Sequence, residues 1–184
     1  MKPKASIRLF SARGVPVYAH ITLPLGLALV SGFSFRPLAW LGLLLVVLVH
    51  EVGHSELLRR FRRPVLHIVL HGFGGECVYV QGASAWERAV VAWGGVLAQM
   101  VLFGIIVSAT ALGLWPRAFT TNDFYTTVTG SNLLIAAINL LPIRGLDGNE
   151  AWSILRLTYL RLKQAWLRRK LSRRIHPSKS GRKS

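Results

Sequence analysis

Long runs of uncharged, apolar residues constrain the fold of this chain most strongly. Four such runs stand out, at residues 15–35, 38–49, 89–115 and 126–143. A helix of roughly 20 apolar residues crosses the hydrocarbon core of a bilayer. The hydrophobic fraction of 52% and the mean hydropathy of +0.41 also favour a membrane protein over a soluble domain. The sequence therefore predicts an all-α polytopic membrane protein with about four transmembrane helices.

The basic residues alternate with these predicted spans. Several basic residues precede the first span and the segment RRFRR, residues 59–63, follows the second, whereas Arg36 and Arg117 stand alone in the other two connections. Because Lys and Arg are enriched in cytoplasmic loops, the alternation predicts that both termini and the 59–88 loop face the cytoplasm. No organelle-targeting pattern is evident, so the expected location is a bacterial cytoplasmic membrane.

Two shorter regions lie outside the predicted spans. Residues 65–70 and 77–80 favour β-structure and are separated by glycines, which predicts a small β-hairpin between the second and third spans. Residues 161–184 carry ten Lys or Arg and no acidic residue. We therefore expect a membrane-embedded core, residues 1–160, and a cytoplasmic tail, residues 161–184, that is first amphipathic and then disordered. The tail should contact anionic lipid headgroups. A nucleic-acid partner is not expected, because no recognition motif accompanies the charge.

The segment HEVGH at residues 50–54 fits the pattern H-E-x-x-H. On a helix, His50 and His54 share one face, so both imidazoles can bind the same zinc ion, and Glu51 beside them can activate a metal-bound water molecule. Titratable residues at the end of a membrane span usually mark a functional site. In the alternative interpretation, the histidines only cap the span near the lipid headgroups, and Glu51 pairs with a following arginine.

Catalytic zinc needs three protein ligands and one open position, so a third ligand must come from elsewhere in the chain. Asp147 follows the fourth predicted span, which should end on the same side of the membrane as the second. It lies between Gly145 and Gly148, which allow close backbone approach. Asp147 is therefore the preferred third ligand, and an ordinary turn aspartate is the alternative. The carboxylates near the predicted cytoplasmic face are Glu56, Glu76, Glu87, Asp147 and Glu150.

A second motif, at the end of the fourth span, completes a resemblance to a known family. Residues 139–148 read NLLPIRGLDG, with Asn139 three residues before Pro142 and a Leu-Asp-Gly sequence at the end. Together with VHEVGHS at residues 49–55, this pattern resembles the site-2 protease family of intramembrane zinc metalloproteases. The resemblance covers about residues 14–158. It implies a core without an attached accessory domain.

The resemblance also implies a role for each residue of the two motifs. His50, His54 and Asp147 would bind one zinc ion per chain. Glu51 would be the general base, and Asn139 would help to hold the substrate or the oxyanion. The implied reaction is hydrolysis of a peptide bond in or near a transmembrane segment of a membrane-tethered protein, often a regulator, with zinc-bound water activated by Glu51 as the nucleophile.

Two other classes of function remain open from the residues themselves. A non-proteolytic membrane zinc-binding scaffold or regulator could keep the three ligands, but it would have no need of the base. A transporter could use the same polar residues as an ion path, although the close spacing of the second motif argues against it.

Overall fold

The computed structural model describes the backbone of residues 3–175, with side chains apart from those of residues 117 and 169–175. The predicted disordered end of the tail, residues 176–184, lies outside the described residues. The elements in chain order are strands β1 (Ser6–Ala12) and β2 (Val15–His20), helices α1 (Leu23–Val30) and α2 (Pro37–Arg60), strands β3 (Val65–His71) and β4 (Gly74–Tyr79), and helices α3 (Ala85–Ala111), α4 (Arg117–Thr120), α5 (Asp123–Thr126), α6 (Asn132–Asn139), α7 (Gly148–Ala151) and α8 (Ser153–Ile175). A π-helical turn, Thr127–Ser131, joins α5 to α6.

A four-stranded mixed sheet contradicts the predicted all-α fold. Within the described residues the strands lie in the order β1-β2-β3-β4, with β2 and β3 parallel and the other two contacts antiparallel. The predicted hairpin is present as β3 and β4, but it forms half of this sheet. Strands β1 and β2 form a second hairpin, whose turn holds Arg13 and Gly14 at φ values of 48° and 85°. Positive φ at both central residues is the geometry of a type I′ turn, which suits a two-residue hairpin connection.

The prediction of four transmembrane helices is also wrong. Within the described residues, two helices, α2 and α3, are long and apolar enough to cross a membrane. The first apolar run divides into β2 and the eight-residue α1, and Val15 and Val17 of β2 are apolar because they fill the protein core. In the fourth run the helical stretch, with a π-helical turn inside it, covers only residues 123–139, which is shorter than the roughly 20 residues of a typical span.

Helices α2 and α3 approach each other closely because glycines lie at their contact. A Cβ atom added to Gly94 would lie 2.7 Å from the carbonyl oxygen of Gly53, and one added to Gly53 would overlap the backbone of Gly94. Small residues of this kind allow tight packing of membrane helices. This contact holds the HEVGH segment of α2 against α3.

The start of α3 is set by a capping box, in which the Glu87 N–H donates to Ser84 Oγ and the Ser84 N–H donates to the Glu87 carboxylate.

Two apolar clusters flank α2 and fix its position in the fold. The first contains Val17 and Ile68 at the centre of the sheet, packed against residues of α2 such as Val47. The second joins Val46 of α2 to α3 and to Val128 in the π-helical turn. Helix α2 therefore lies between the sheet on one side and α3 on the other. The proposed boundary between core and tail at residue 160 stays a prediction, and α8 runs through it.

Candidate metal centre

The two histidines of the HEVGH segment lie one helical turn apart on α2 and face the same point. Residues i and i+4 of a helix project from one face, and the Nε2 atoms of His50 and His54 are 2.9 Å apart. Both side chains are buried, with 6% and 8% of their surface exposed. Their close approach brings two nitrogen ligands together at the inner surface of α2.

Asp147 reaches these histidines because the chain turns back toward α2 after α6. In the turn, the Leu146 N–H donates to the carbonyl oxygen of Ile143, and Gly145 adopts a φ of 94° that favours glycine. Asp147 Oδ2 lies 2.8 Å from His50 Nε2 and 3.2 Å from His54 Nε2. The two predicted motifs, which are almost 100 residues apart along the chain, therefore meet at one point.

These three side chains form a donor set that fits a metal ion. Within the described residues they are the group of His, Cys, Asp and Glu side chains that could hold one. For a tetrahedral zinc ion with bonds of about 2.0–2.1 Å, neighbouring ligand atoms are about 3.3 Å apart, and the observed separations of 2.8, 2.9 and 3.2 Å are at or somewhat below this distance. His54 Nδ1 donates to the carbonyl oxygen of Val91 at 2.8 Å, so the lone pair of its neutral imidazole is left on Nε2, the atom that faces Asp147.

The charge of Asp147 also suits a cation site. Burial opposes ionisation of this carboxyl, but the adjacent imidazoles of His50 and His54, when protonated, hold the pKa of Asp147 well below its ordinary value. The carboxyl group is therefore an anion in the site. Zinc accepts both kinds of donor that are present here, a carboxylate oxygen and imidazole nitrogens.

Most of the other carboxylates that the sequence offered as third ligands are paired with arginines. Three ion pairs carry this point: Glu56 with Arg13 at 3.5 Å, Glu87 with Arg63 at 2.8 Å, and Glu150 with Arg88 at 3.4 Å. Glu76 lines the cavity in front of the histidines but is not part of the three-residue group. The position of Asp147 thus depends on the turn after α6, which motif spacing alone could only suggest.

Glu51 lies beside the metal-binding group and is almost fully buried, with 4% of its surface exposed. Strand β4 packs against it so closely that a Cβ atom added to Gly75 would lie 2.5 Å from Glu51 Cγ and 2.7 Å from Oε1. The carboxylate is therefore restrained by the sheet and faces the same cavity as the histidines. A carboxylate positioned beside a metal-binding group can act as a general base.

Asn139, at the end of α6, approaches the site without forming a good hydrogen bond to it. Its Nδ2 atom is 3.5 Å from both ring nitrogens of His50, a distance at which a hydrogen bond is weak. The amide lines the same cavity as Glu51. Its N–H groups therefore remain available to a molecule bound there.

A cavity of about 780 Å³ opens in front of these residues. It is lined by α2, by strand β4 and by the turn that carries Asp147. Cys77 of β4 also lines it, and burial together with the nearby charges of Glu51 and Glu76 raises the pKa of this thiol to about 12. Cys77 is not part of the three-residue group.

Gln99 is a neighbour of the site that the sequence interpretation did not single out. It lies in α3, and its Oε1 atom is 2.9 Å from His50 Nδ1. The signal that could have found it is the presence of one amide within the uncharged run at residues 89–115.

We expect Gly95→Ala to weaken metal binding, because an added Cβ atom would overlap the imidazole ring of His50. Displacement of this ligand should raise the zinc dissociation constant by roughly the 10- to 100-fold seen when ligand orientation is disturbed. The matched control is Gly104→Ala on the same helix, where an added Cβ atom has nothing within 4 Å. The control should bind zinc like the wild type, and equal zinc affinity of all three proteins in a competition titration would contradict the expectation.

Comparison with known proteins gives three informative matches. The chain is 27% identical over 152 residues to a zinc metalloprotease of Methanocaldococcus jannaschii, a match that covers 79% of this chain and 44% of the relative. It is 32% identical over 115 residues to stage IV sporulation protein FB of Bacillus subtilis, covering 61% of this chain and 38% of that protein. The chain thus spans less than half the length of these curated relatives.

The third match is to a solved structure and concerns the fold. The site-2 protease from Methanocaldococcus jannaschii superimposes with a TM-score of 0.64 at 24% sequence identity, over 82% of this chain and 71% of that chain. No family model matches the chain.

Proposed function

We propose that this chain is an intramembrane zinc metalloendopeptidase of the site-2 protease family, in line with its similarity to a zinc metalloprotease and to the fold of a site-2 protease. The proposed reaction is hydrolysis of a peptide bond in or near a transmembrane segment of a membrane-tethered protein. The observation that carries the proposal is the convergence of His50, His54 and Asp147 on one point, with the buried carboxylate of Glu51 beside them.

The proposed metal ligands are His50 and His54 through Nε2 and Asp147 through its carboxylate. Zinc bound by three protein ligands acts as a Lewis acid and lowers the pKa of a water molecule toward about 7. Val91 supports this role by accepting the Nδ1 hydrogen of His54, which leaves Nε2 of that residue as the ligand atom.

Glu51 is the proposed general base. Its carboxylate would accept a proton from the attacking water and then donate that proton to the leaving amine. The packing of Gly75 against the Glu51 side chain keeps the carboxylate turned toward the cavity. Burial also excludes bulk water that would otherwise compete for the proton.

Asn139 is proposed to bind the substrate or the oxyanion. Asn139 lines the cavity, and its Nδ2 atom has no short hydrogen bond to His50. An amide donor near a developing negative charge stabilises it, and loss of one such donor typically costs about 10²- to 10³-fold in rate.

Strand β4 offers a surface on which an extended substrate could bind. It lies at one edge of the sheet, and its Gly75 contacts Glu51. A substrate helix must unwind locally before its peptide bond can be attacked, and its freed backbone groups then need new partners within the membrane. Pairing with an edge strand supplies such partners.

The charged ends of the molecule support an orientation with both termini in the cytoplasm. Arg13 of the first hairpin pairs with Glu56 near the end of α2, and Arg88 at the start of α3 pairs with Glu150. The segments before and after the two long helices thus gather at one basic end, together with the RRFRR segment. Basic ends remain in the cytoplasm, which supports this orientation. The proposed location stays a bacterial cytoplasmic membrane, because the sequence carries no evident organelle-targeting pattern.

The basic tail is proposed to lie on anionic lipid headgroups. Helix α8 exposes apolar side chains such as Leu155 and Leu162 among its arginines and lysines, a pattern typical of helices in the membrane interface. The guanidinium of Arg161 lies 4.1 Å from the centre of the Trp86 ring, which attaches the helix to the start of α3. Each Lys or Arg near an anionic membrane surface contributes about 1 kcal/mol to membrane binding.

Metal removal tests the proposed function directly. The protein is reconstituted in liposomes with a panel of single-span, membrane-tethered reporter proteins, and cleavage is followed by mass spectrometry. We expect a membrane-permeant chelator to abolish cleavage and about one equivalent of zinc per chain to restore it, because the three ligands provide one site. Cleavage that continues in protein shown to be free of metal would contradict the proposal.

A further inference from the structure

Gln99 is a polar residue in an unexpected place. It is fully buried, with no exposed surface, near the middle of the 27-residue helix α3. Polar side chains inside a membrane helix are energetically unfavourable and usually have a functional reason. The contact that suggests one is the 2.9 Å separation between Gln99 Oε1 and His50 Nδ1.

This contact determines which nitrogen of His50 carries the hydrogen. A carbonyl oxygen of an amide can only accept a hydrogen bond, so His50 Nδ1 must be the donor. A neutral imidazole has one N–H group, and its lone pair is then on Nε2, which lies 2.8 Å from Asp147 Oδ2. The carbonyl oxygen of Val91 has the same effect on His54. Gln99 Oε1 therefore has the same role for His50 that the backbone oxygen of Val91 has for His54.

The remaining atoms of this buried amide are poorly satisfied. Gln99 Nε2 has no hydrogen-bond partner among the described residues. The same is true of Oδ1 of Asn132, a buried neighbour of Gln99. Asn132 Nδ2 donates to the backbone carbonyl of Gln99 at 3.0 Å, a bond that does not involve the Gln99 side chain. An unsatisfied buried amide destabilises a fold. An apolar residue of equal size would fill the same space without that cost, so packing does not explain a glutamine here.

We propose that Gln99 is a positioning residue that holds His50 in the tautomer and ring orientation needed to bind the metal ion. The inference rests on the proposed zinc site and deepens it. Gln99 itself touches neither the ion nor the substrate, and it acts through the Nδ1–H bond. Outer hydrogen-bond partners of this kind orient metal-bound histidines, and their loss typically costs roughly 10- to 100-fold in metal affinity.

Two variants of Gln99 separate this role from packing. Gln99→Met keeps the volume and removes the acceptor, whereas Gln99→Glu keeps an acceptor at the same place. The zinc dissociation constant is measured by chelator competition, and the thermal unfolding temperature is measured on the metal-free protein. We expect a roughly 10- to 100-fold weaker zinc affinity for the methionine variant, with an unfolding temperature equal to or above that of the wild type. The glutamate variant should recover most of the affinity.

Three results would overturn the inference. One is wild-type zinc affinity in Gln99→Met, the second is equal loss in both variants, and the third is a lowered unfolding temperature that accounts for the weaker binding. Ile106→Met, a buried apolar position on the same helix, controls for a methionine in α3. If the wild type and Gln99→Met bind zinc and cleave reporters equally well, this inference alone is refuted. Wild-type protein that binds no zinc would refute the proposed function.

A measurement on the unmodified protein covers the case in which a variant fails to fold. Nitrogen chemical shifts of ¹⁵N-histidine-labelled, zinc-loaded wild-type protein distinguish the protonated from the metal-bound ring nitrogen. We expect His50 to show a protonated Nδ1 in a hydrogen bond and a metal-bound Nε2. A His50 ring protonated at Nε2 would overturn the inference.

Discussion

Replacement of Glu51 by glutamine is expected to lower the rate of cleavage by about 10²- to 10⁴-fold, the usual contribution of a general base, while zinc content stays unchanged. The glutamine amide has the same shape, so its packing against Gly75 is preserved, but it cannot accept the proton of water. The metal-binding group does not include Glu51. Activity and zinc content are therefore expected to separate in this variant, and both are measured on the same preparation of reconstituted protein.

The matched control for Glu51→Gln is Glu56→Gln, which removes a carboxylate five residues further along α2. Glu56 pairs with Arg13 and Arg60 at distances of 3.5 and 3.9 Å, outside the cavity, and its loss should leave cleavage within about twofold, since exposed ion pairs contribute little. Undiminished cleavage by Glu51→Gln would exclude Glu51 as the base. A cellular function that survives in Glu51→Gln, without any cleavage, would favour the zinc-binding scaffold.

Replacement of Asp147 by alanine is expected to remove zinc from the purified chain. Two imidazoles would remain where three protein ligands are needed. The loss of zinc affinity should therefore exceed the roughly 10- to 100-fold that follows when a residue hydrogen-bonded to a ligand is lost. Zinc per chain is measured by atomic absorption after equilibration with a zinc buffer. The wild type should hold about one ion per chain, because its three ligands form one group.

Asn149→Ala is the matched control for Asp147→Ala, since Asn149 lines the same cavity and follows Asp147 on the same turn. This variant should keep its zinc. Unchanged zinc content in Asp147→Ala would show that another residue completes the site, and Glu76, which lines the cavity, would be the next to replace. Absence of zinc from metal-replete wild type would return His50 and His54 to the role of polar residues at the end of a helix.

The local features of this protein follow from short-range sequence patterns. The i, i+4 spacing of His50 and His54 is enough to predict that they share a helix face, and the structure brings their Nε2 atoms to 2.9 Å. The two longest uninterrupted apolar helices and the β3–β4 hairpin were likewise predicted near their observed positions. Each of these depends on periodicity, turn residues or length within one segment, so no distant contact is needed to predict it.

The sheet is the part of the fold that the sequence pattern misrepresented. An uncharged stretch such as residues 15–35 is expected both for a membrane span and for a strand buried inside the protein. Hydropathy does not distinguish these two environments. Val17 is apolar because β2 pairs with β1 and β3 and is covered by α2. Arg13 and Gly14 form the hairpin turn between β1 and β2, a local feature that a hydropathy pattern does not take into account.

The sequence by itself determined the chemistry that is available, and the tertiary structure decided how it is arranged. Spacing within α2 supplies two imidazoles and a carboxylate, but it carries no information on which distant residue meets them. Asp147 comes within 2.8 Å of His50 because the turn after α6 redirects the chain, and Gln99 reaches the other side of the same ring because Gly53 and Gly94 let α2 and α3 touch. Contacts between segments some 50 to 100 residues apart depend on packing geometry, which no single segment encodes.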